Sequence, residues 1–107
     1  MKLRLPLLTL ALSLGAGSLS AQIASTDIFV FEVDGGQLGE IRRITDREGY
    51  DNQPRFLPGG REVVYSSMRD GQTDIYRHDL KTGEATRVLA SEHSEYSPTP
   101  IPGTQSI

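Results

Sequence analysis

One segment of this chain is written twice. Thr26-Asp27-Ile28-Phe29-Val30-Phe31-Glu32-Val33 lines up with Thr73-Asp74-Ile75-Tyr76-Arg77-His78-Asp79-Leu80, 47 residues later. Downstream, Arg43-Ile44-Thr45 matches Arg87-Val88-Leu89, and Pro54-Arg55-Phe56-Leu57-Pro58-Gly59 matches Pro98-Thr99-Pro100-Ile101-Pro102-Gly103, both at an offset of 44 residues. Three extra residues around Gln37-Leu38-Gly39 absorb the difference, where a turn is expected. A repeat of this length constrains the fold more than any composition does. Each unit is a supersecondary element whose faces only its neighbours can bury.

Within the repeat, short apolar runs alternate with turn chemistry and no helical periodicity intervenes. Strands are expected at Asp27–Val33, Glu40–Thr45, Gln53–Leu57, Glu62–Ser67, Asp74–Leu80 and Ala85–Ala90. Asp34-Gly35-Gly36, Pro58-Gly59-Gly60, Asp70-Gly71 and Lys81-Thr82-Gly83-Glu84 supply the turns, and Ser91–Tyr96 a polar loop. Consecutive short strands joined by tight turns make a meander, and a meander recurring at this period is a β-propeller blade. The fold class expected is therefore all-β, a propeller of four-stranded antiparallel blades. Lettering blade strands A to D outward from the channel, Gln53–Leu57, Glu62–Ser67, Asp74–Leu80 and Ala85–Ala90 make one whole blade. Repeat one (26–45) begins at a C strand, repeat two is 53–90, and 97–107 opens a third, with Ser97–Ile101 as its A strand. That is about one and a half to two blades, with the rest of the ring expected downstream. Residues 22–107 alone are expected to fold poorly or to self-associate through strand edges, whereas the full ring is expected to be a monomer.

The first residues read as targeting. Lys2 and Arg4 form a basic n-region, Leu5 to Leu14 an apolar core, and Gly15–Ala21 a run of mostly small residues for cleavage, the layout of a secretory signal peptide. Residues 1–21 are thus expected to be a signal peptide, helical before removal. The apolar run is too short to span a bilayer, which takes about 20 residues. The chain has no cysteine, so it can form neither a disulfide nor a zinc–thiolate site, nor carry a lipidated N-terminal cysteine. Without Lys2 and Arg4, 9 basic residues face 14 acidic ones. That balance opposes nucleic acid and an anionic membrane surface as partners. The expected location is the periplasm or the outside of the cell, with no membrane insertion after cleavage.

Gln53–Pro58, Arg69-Asp70-Gly71, Asp74-Ile75-Tyr76 and Gly83-Glu84…Arg87-Val88-Leu89 together resemble the WD40-like repeat of the TolB propeller family. The resemblance covers nearly all of residues 26–103. It implies a propeller, and it implies no single role, because this repeat also builds propellers attached to peptidases and lyases. Where the family has Ser-Pro-Asp-Gly this chain has Leu57-Pro58-Gly59-Gly60 and Ile101-Pro102-Gly103-Thr104, so these turns rest on Pro and Gly geometry alone. In the TolB family an α/β domain precedes the propeller; here the first strand is expected five or six residues after the expected cleavage site, so a propeller without that domain is expected.

In this frame the D-to-A loops Gly49–Gln53 and Ser94–Ser97 reach the channel mouth, and Met68–Gly71 lies further out on the same face. Loops carry function more often than strands, so Tyr50, Asp51, Asn52, Gln53, Arg69, Glu95 and Tyr96 are the binding candidates. The alternative is that Asp51, Asn52 and Ser97 cap turns while the two tyrosines wedge blades apart. His78 and His93 have no ligand spacing and are expected in solvated or turn roles, Ser66-Ser67 lacks a nucleophile elbow, and Gly35-Gly36 opens no helix. No cofactor, metal or catalytic group is therefore expected. The function expected is a non-enzymatic scaffold for a protein, peptide or glycan of the envelope or extracellular space. The alternatives are the propeller part of a hydrolase or lyase whose catalytic residues lie beyond residue 107, and an orphan fragment with no stable fold.

Overall fold

Two pairs of turn residues set the hairpins. Gly35-Gly36 (φ 55° and 80°) and Asp70-Gly71 (φ 52° and 79°) are both two-residue loops with left-handed backbone at each position. Their twist matches that of antiparallel strands, and glycine or aspartate tolerates the conformation. A computed structural model describes residues 23–107, so the expected signal segment at 1–21 lies outside the described residues. The turns join β1 (Phe29–Asp34) to β2 (Gln37–Arg43), and β4 (Glu62–Arg69) to β5 (Gln72–Asp79). Strand β3 (Asp51–Phe56) precedes β4, and β6 (Ala85–Leu89) follows β5. The result is a two-stranded sheet, β1-β2, and a four-stranded sheet in the order β3-β4-β5-β6, antiparallel throughout. There is no helix among the described residues.

Register explains why consecutive residues of β4 and β5 are buried on both faces. Val63 faces His78, Tyr65 faces Tyr76 and Ser67 faces Asp74 on one side, while Val64 and Arg77, and Ser66 and Ile75, occupy the other. The first side meets the two-stranded sheet. Ile28, Val63, Tyr65 and Tyr76 form one buried cluster, with Val30, Ile44 and Leu80 packed against it. The Tyr65 and Tyr76 rings are stacked with centroids 6.1 Å apart. The second side holds Leu57, Val64 and Ile75. Across it returns the segment beyond β6. Ser97 N donates to Ser66 Oγ (3.0 Å), Gln105 Nε2 to Pro58 O (3.2 Å) and Arg77 Nη2 to Gln105 O (3.2 Å).

The repeat recurs as geometry as well as letters. Leu57 N donates to Glu62 O and Gly60 N to Leu57 O; 44 residues on, Ile101 N donates to Ser106 O and Thr104 N to Ile101 O. Gln53 and Ser97, at the same offset, are both left-handed (φ 56° and 53°). The ion pair Asp27–Arg43 (2.5 Å) reappears as Asp74–Arg87 (2.7 Å).

Several expected boundaries shift. Strand β3 starts earlier than expected, at Asp51 and Asn52, because their backbone pairs with Ser67 and Ser66 of β4, and Gln53 lies at the bulge that follows. Gln37-Leu38-Gly39 starts β2 instead of turning. The extra length is taken up by a bulge between Phe31 and Val33, and a Cβ on Gly39 would approach Glu32 Cβ to 3.3 Å. Ser97–Ile101 forms no strand among the described residues, which place no partner strand beside it. The other face of the two-stranded sheet, carrying Phe29, Phe31, Val33, Leu38 and Ile41, is exposed.

His78 is buried, not solvated, and its Nδ1 has no hydrogen-bond partner. Burial first, and Arg42 second, push its pKa below the usual value of 6.5, against a smaller opposite pull from Asp79. The unfolded chain therefore takes up a proton at a higher pH than the folded one. Stability should fall as pH drops below about 6.5, through the unfolded-state pKa and on toward the lower folded-state value. Replacing His78→Leu should flatten this part of the curve in denaturant melts between pH 8 and 5; an unchanged slope would mean His78 does not cause it.

Candidate functional site

Strand β3 enters the four-stranded sheet beside β4, and this places its first residue inside. Asp51 has a side chain with no solvent exposure, and Arg47, four residues earlier in the connection from β2, reaches it with Nη1 at 3.2 Å. Arg47 Nη2 also donates to Met68 O at 2.7 Å, tying the connection to the end of β4. The other carboxylate oxygen, Oδ1, is buried without a partner. Thr26, in the segment before β1, closes the group: its Oγ1 donates to Asp51 O, and its N donates to Gly49 O. Asp51 therefore anchors β3 and is shut off from solvent.

The other candidates divide by environment. Tyr50 is half-buried, in a parallel bridge with Thr26, and its carbonyl accepts from Met68 N at 2.8 Å. Asn52 is exposed, and its Oδ1 caps Gln53 N at 2.7 Å, a turn-type contact inside a strand. Gln53 Oε1 accepts from both Ser66 Oγ and Ser97 N at 2.9 Å, which brings the two expected loops together. Glu95 is half-buried: its N donates to Thr73 O, and its Oε1 accepts from Ser91 Oγ. Tyr96 is exposed at the surface. Arg69 lies apart from these, over the ring of Tyr76.

Sequence reasoning passed over Arg47 and Gln72. Gln72 Nε2 donates to Asp74 Oδ1 (2.9 Å), Ser91 O (2.8 Å) and His93 O (3.1 Å), so one amide positions the loop after β6. A signal for Arg47 was available in its opposite charge four residues from Asp51. Gln72 left none, because the loop it holds is reached through the backbone carbonyls of Ser91 and His93, 19 and 21 residues away.

The class defined so far is an antiparallel all-β repeat protein with loops gathered at the end of its larger sheet. Among curated proteins, the chain is 37% identical over 60 residues to the Tol-Pal system protein TolB of Bordetella pertussis, covering 56% of this chain. It spans 13% of that relative's length, and TolB of Bordetella parapertussis matches equally. It is 28% identical over 81 residues to an uncharacterized protein of Agrobacterium fabrum, covering 76% of this chain and 27% of that protein. Dipeptidyl-peptidase 5 of Porphyromonas gingivalis is 35% identical over 69 residues, 60% of this chain and 10% of that enzyme. No family model matches the chain, and no solved structure does.

Removing Arg47 leaves a buried carboxylate with neither charge partner nor hydrogen bond. Arg47→Ala should destabilise the protein by about 2 kcal/mol, below the usual cost of breaking a buried pair because Arg47 is partly exposed. The double variant Arg47→Ala/Asp51→Leu should recover much of this. Urea melts of the single and double variants check it; equal stability of Arg47→Ala and wild type would contradict the anchoring role.

Proposed function

We propose that the chain is part of an exported, non-enzymatic TolB-like β-propeller that binds a protein, peptide or glycan in the periplasm or outside the cell. In this reading residues 1–21 are the signal peptide, and residues 22–107 are consecutive, incomplete blades of a ring that is monomeric when whole. The observation that carries it is the recurrence of turn bonds and left-handed positions at 44 residues, and of the Asp–Arg pair with its aspartate displaced by 47 residues and its arginine by 44, the pattern expected of a blade repeat. The exposed face of β1-β2 supports the same reading. Phe29, Phe31 and Val33 correspond, 47 residues on, to Tyr76, His78 and Leu80, and these lie on the side of the larger sheet that β1-β2 covers. A preceding blade would cover Phe29, Phe31 and Val33 in the same way. TolB is named as part of the Tol-Pal system, and a relative of that kind supports an envelope protein partner.

The burial of Asp51 moves the proposed contact surface to Asn52, Glu95 and Tyr96, with Tyr50 and Gln53 supporting it from below. The similarity to dipeptidyl-peptidase 5 favours a second reading, in which the same repeat is the propeller part of a hydrolase whose catalytic groups lie beyond residue 107.

Expression of the intact protein in a Gram-negative host tests the proposal. The mature protein should leave the cell on osmotic shock, with a new N-terminus between Leu19 and Ile23. Retention in the cytoplasm with Met1 in place would contradict export. Cross-linking to an envelope partner should weaken in Asn52→Ala/Tyr96→Ala while the melting temperature stays within about 2 °C, as for surface substitutions. A large melting shift with cross-linking preserved would make these residues packing groups instead. Hydrolysis of a dipeptidyl substrate by the intact protein would favour the second reading.

A further inference from the structure

Among Arg47, Arg69 and Arg87, near the end of the larger sheet, only Arg69 makes no ion pair among the described residues. Arg47 is used by Asp51 and Met68 O. Arg87 is used by Asp74 at 2.7 Å, and because Asp27–Arg43 repeats this pair it is a strut of the repeat. Arg69 pairs with no carboxylate among the described residues. It is nevertheless fixed in place. Its Cζ stands 3.7 Å above the Tyr76 ring, and its Nε donates to Ser67 Oγ at 3.2 Å. Stacking and one hydrogen bond orient the plane, while Nη1 and Nη2 keep no protein acceptor among the described residues.

That edge lines a pocket of about 260 Å³ formed with Asp70, Gln72, Asp74, Tyr76 and Arg87. The two carboxylates there do not satisfy Arg69. Asp74 is nearly fully buried and already accepts from Arg87 and Gln72. Asp70 is exposed at the tip of the hairpin, held there by its left-handed backbone. An oriented guanidinium with both terminal nitrogens free suits one ligand geometry above others, a planar carboxylate taken by two parallel hydrogen bonds. We infer that the Arg69 pocket is a carboxylate-binding site, which takes either an acidic side chain or the C-terminal carboxylate of a peptide. The pocket is an addition to the binding reading above, and rests on it only for the identity of the molecule that presents the carboxylate.

The test is a nuclear magnetic resonance titration of the intact protein with N-acetyl-glutamate amide and with N-acetyl-alanine, against sodium chloride of equal ionic strength. The first probe presents a side-chain carboxylate and the second a terminal one, so the tighter one names the source. The expected result is a saturable shift of the Arg69 Nε–H resonance and of the Ser67 and Tyr76 amides. Arg69→Gln should weaken binding about tenfold or more, and Arg69→Lys, which keeps charge over the ring but loses the paired donors, should also lose most of it. Arg61→Gln, which removes an exposed partner of Asp79 elsewhere, should bind as wild type. Shifts no larger than those in sodium chloride, or unchanged binding in Arg69→Lys, would overturn the site. Because the titration needs no partner, its failure would leave the propeller proposal standing, and failed export or cross-linking would leave the titration readable.

Discussion

Burial of β4 and β5 on both faces is the constraint on which the rest depends. Val63 and Tyr65 point one way, Val64 the other, and all three are almost fully enclosed. A single sheet of four short strands cannot enclose its own centre. The two-stranded sheet and the residue before it must cover one side through Val30 and Ile28, and the segment after β6 must cover the other. Cores of this kind are shared between units, so each unit's stability is a property of its neighbours.

The same constraint decides where polar groups go. With both faces committed, charges are paired across neighbouring segments: Asp27–Arg43 joins the residues before β1 to the end of β2, and Asp74–Arg87 joins β5 to the middle of β6. At the end of β5 Asp79 caps its own turn, accepting from Lys81 N (2.8 Å) and Thr82 N (3.0 Å), and pairs with Arg61. Hydrogen bonds from Arg61 and the turn amides hold its carboxyl down to about 2. Binding chemistry is thereby left to the connections and to side chains, such as Arg69, that the struts do not use.

Much of this was legible in the sequence because it depends on local rules. Asp-Gly and Gly-Gly fixed two hairpins, and the run Val63-Val64-Tyr65 marked a strand buried on both sides. The site was harder to read. Asp51 and Asn52 look like turn formers, and only Arg47, brought close by a bend, makes it possible for Asp51 to sit inside a strand. Gln53 takes a left-handed backbone that its side chain does not favour, held there by bonds to Ser66 and Ser97 from elsewhere in the sequence. His78 looked like a solvated strand residue because burial on that face is imposed by the other sheet. For Gln53 and His78 the deciding partners are distant in sequence.

The central claim is that the two sheets share one core, and hydrogen exchange on Ile28→Ala tests it most directly. Ile28 lies outside the named strands of either sheet and is 5% exposed. Its truncation should cost about 2–4 kcal/mol. If the core is shared, exchange should quicken together in β1-β2 and in the central strands β4 and β5. Faster exchange confined to β1-β2, with β4 and β5 as protected as in the wild type, would contradict it.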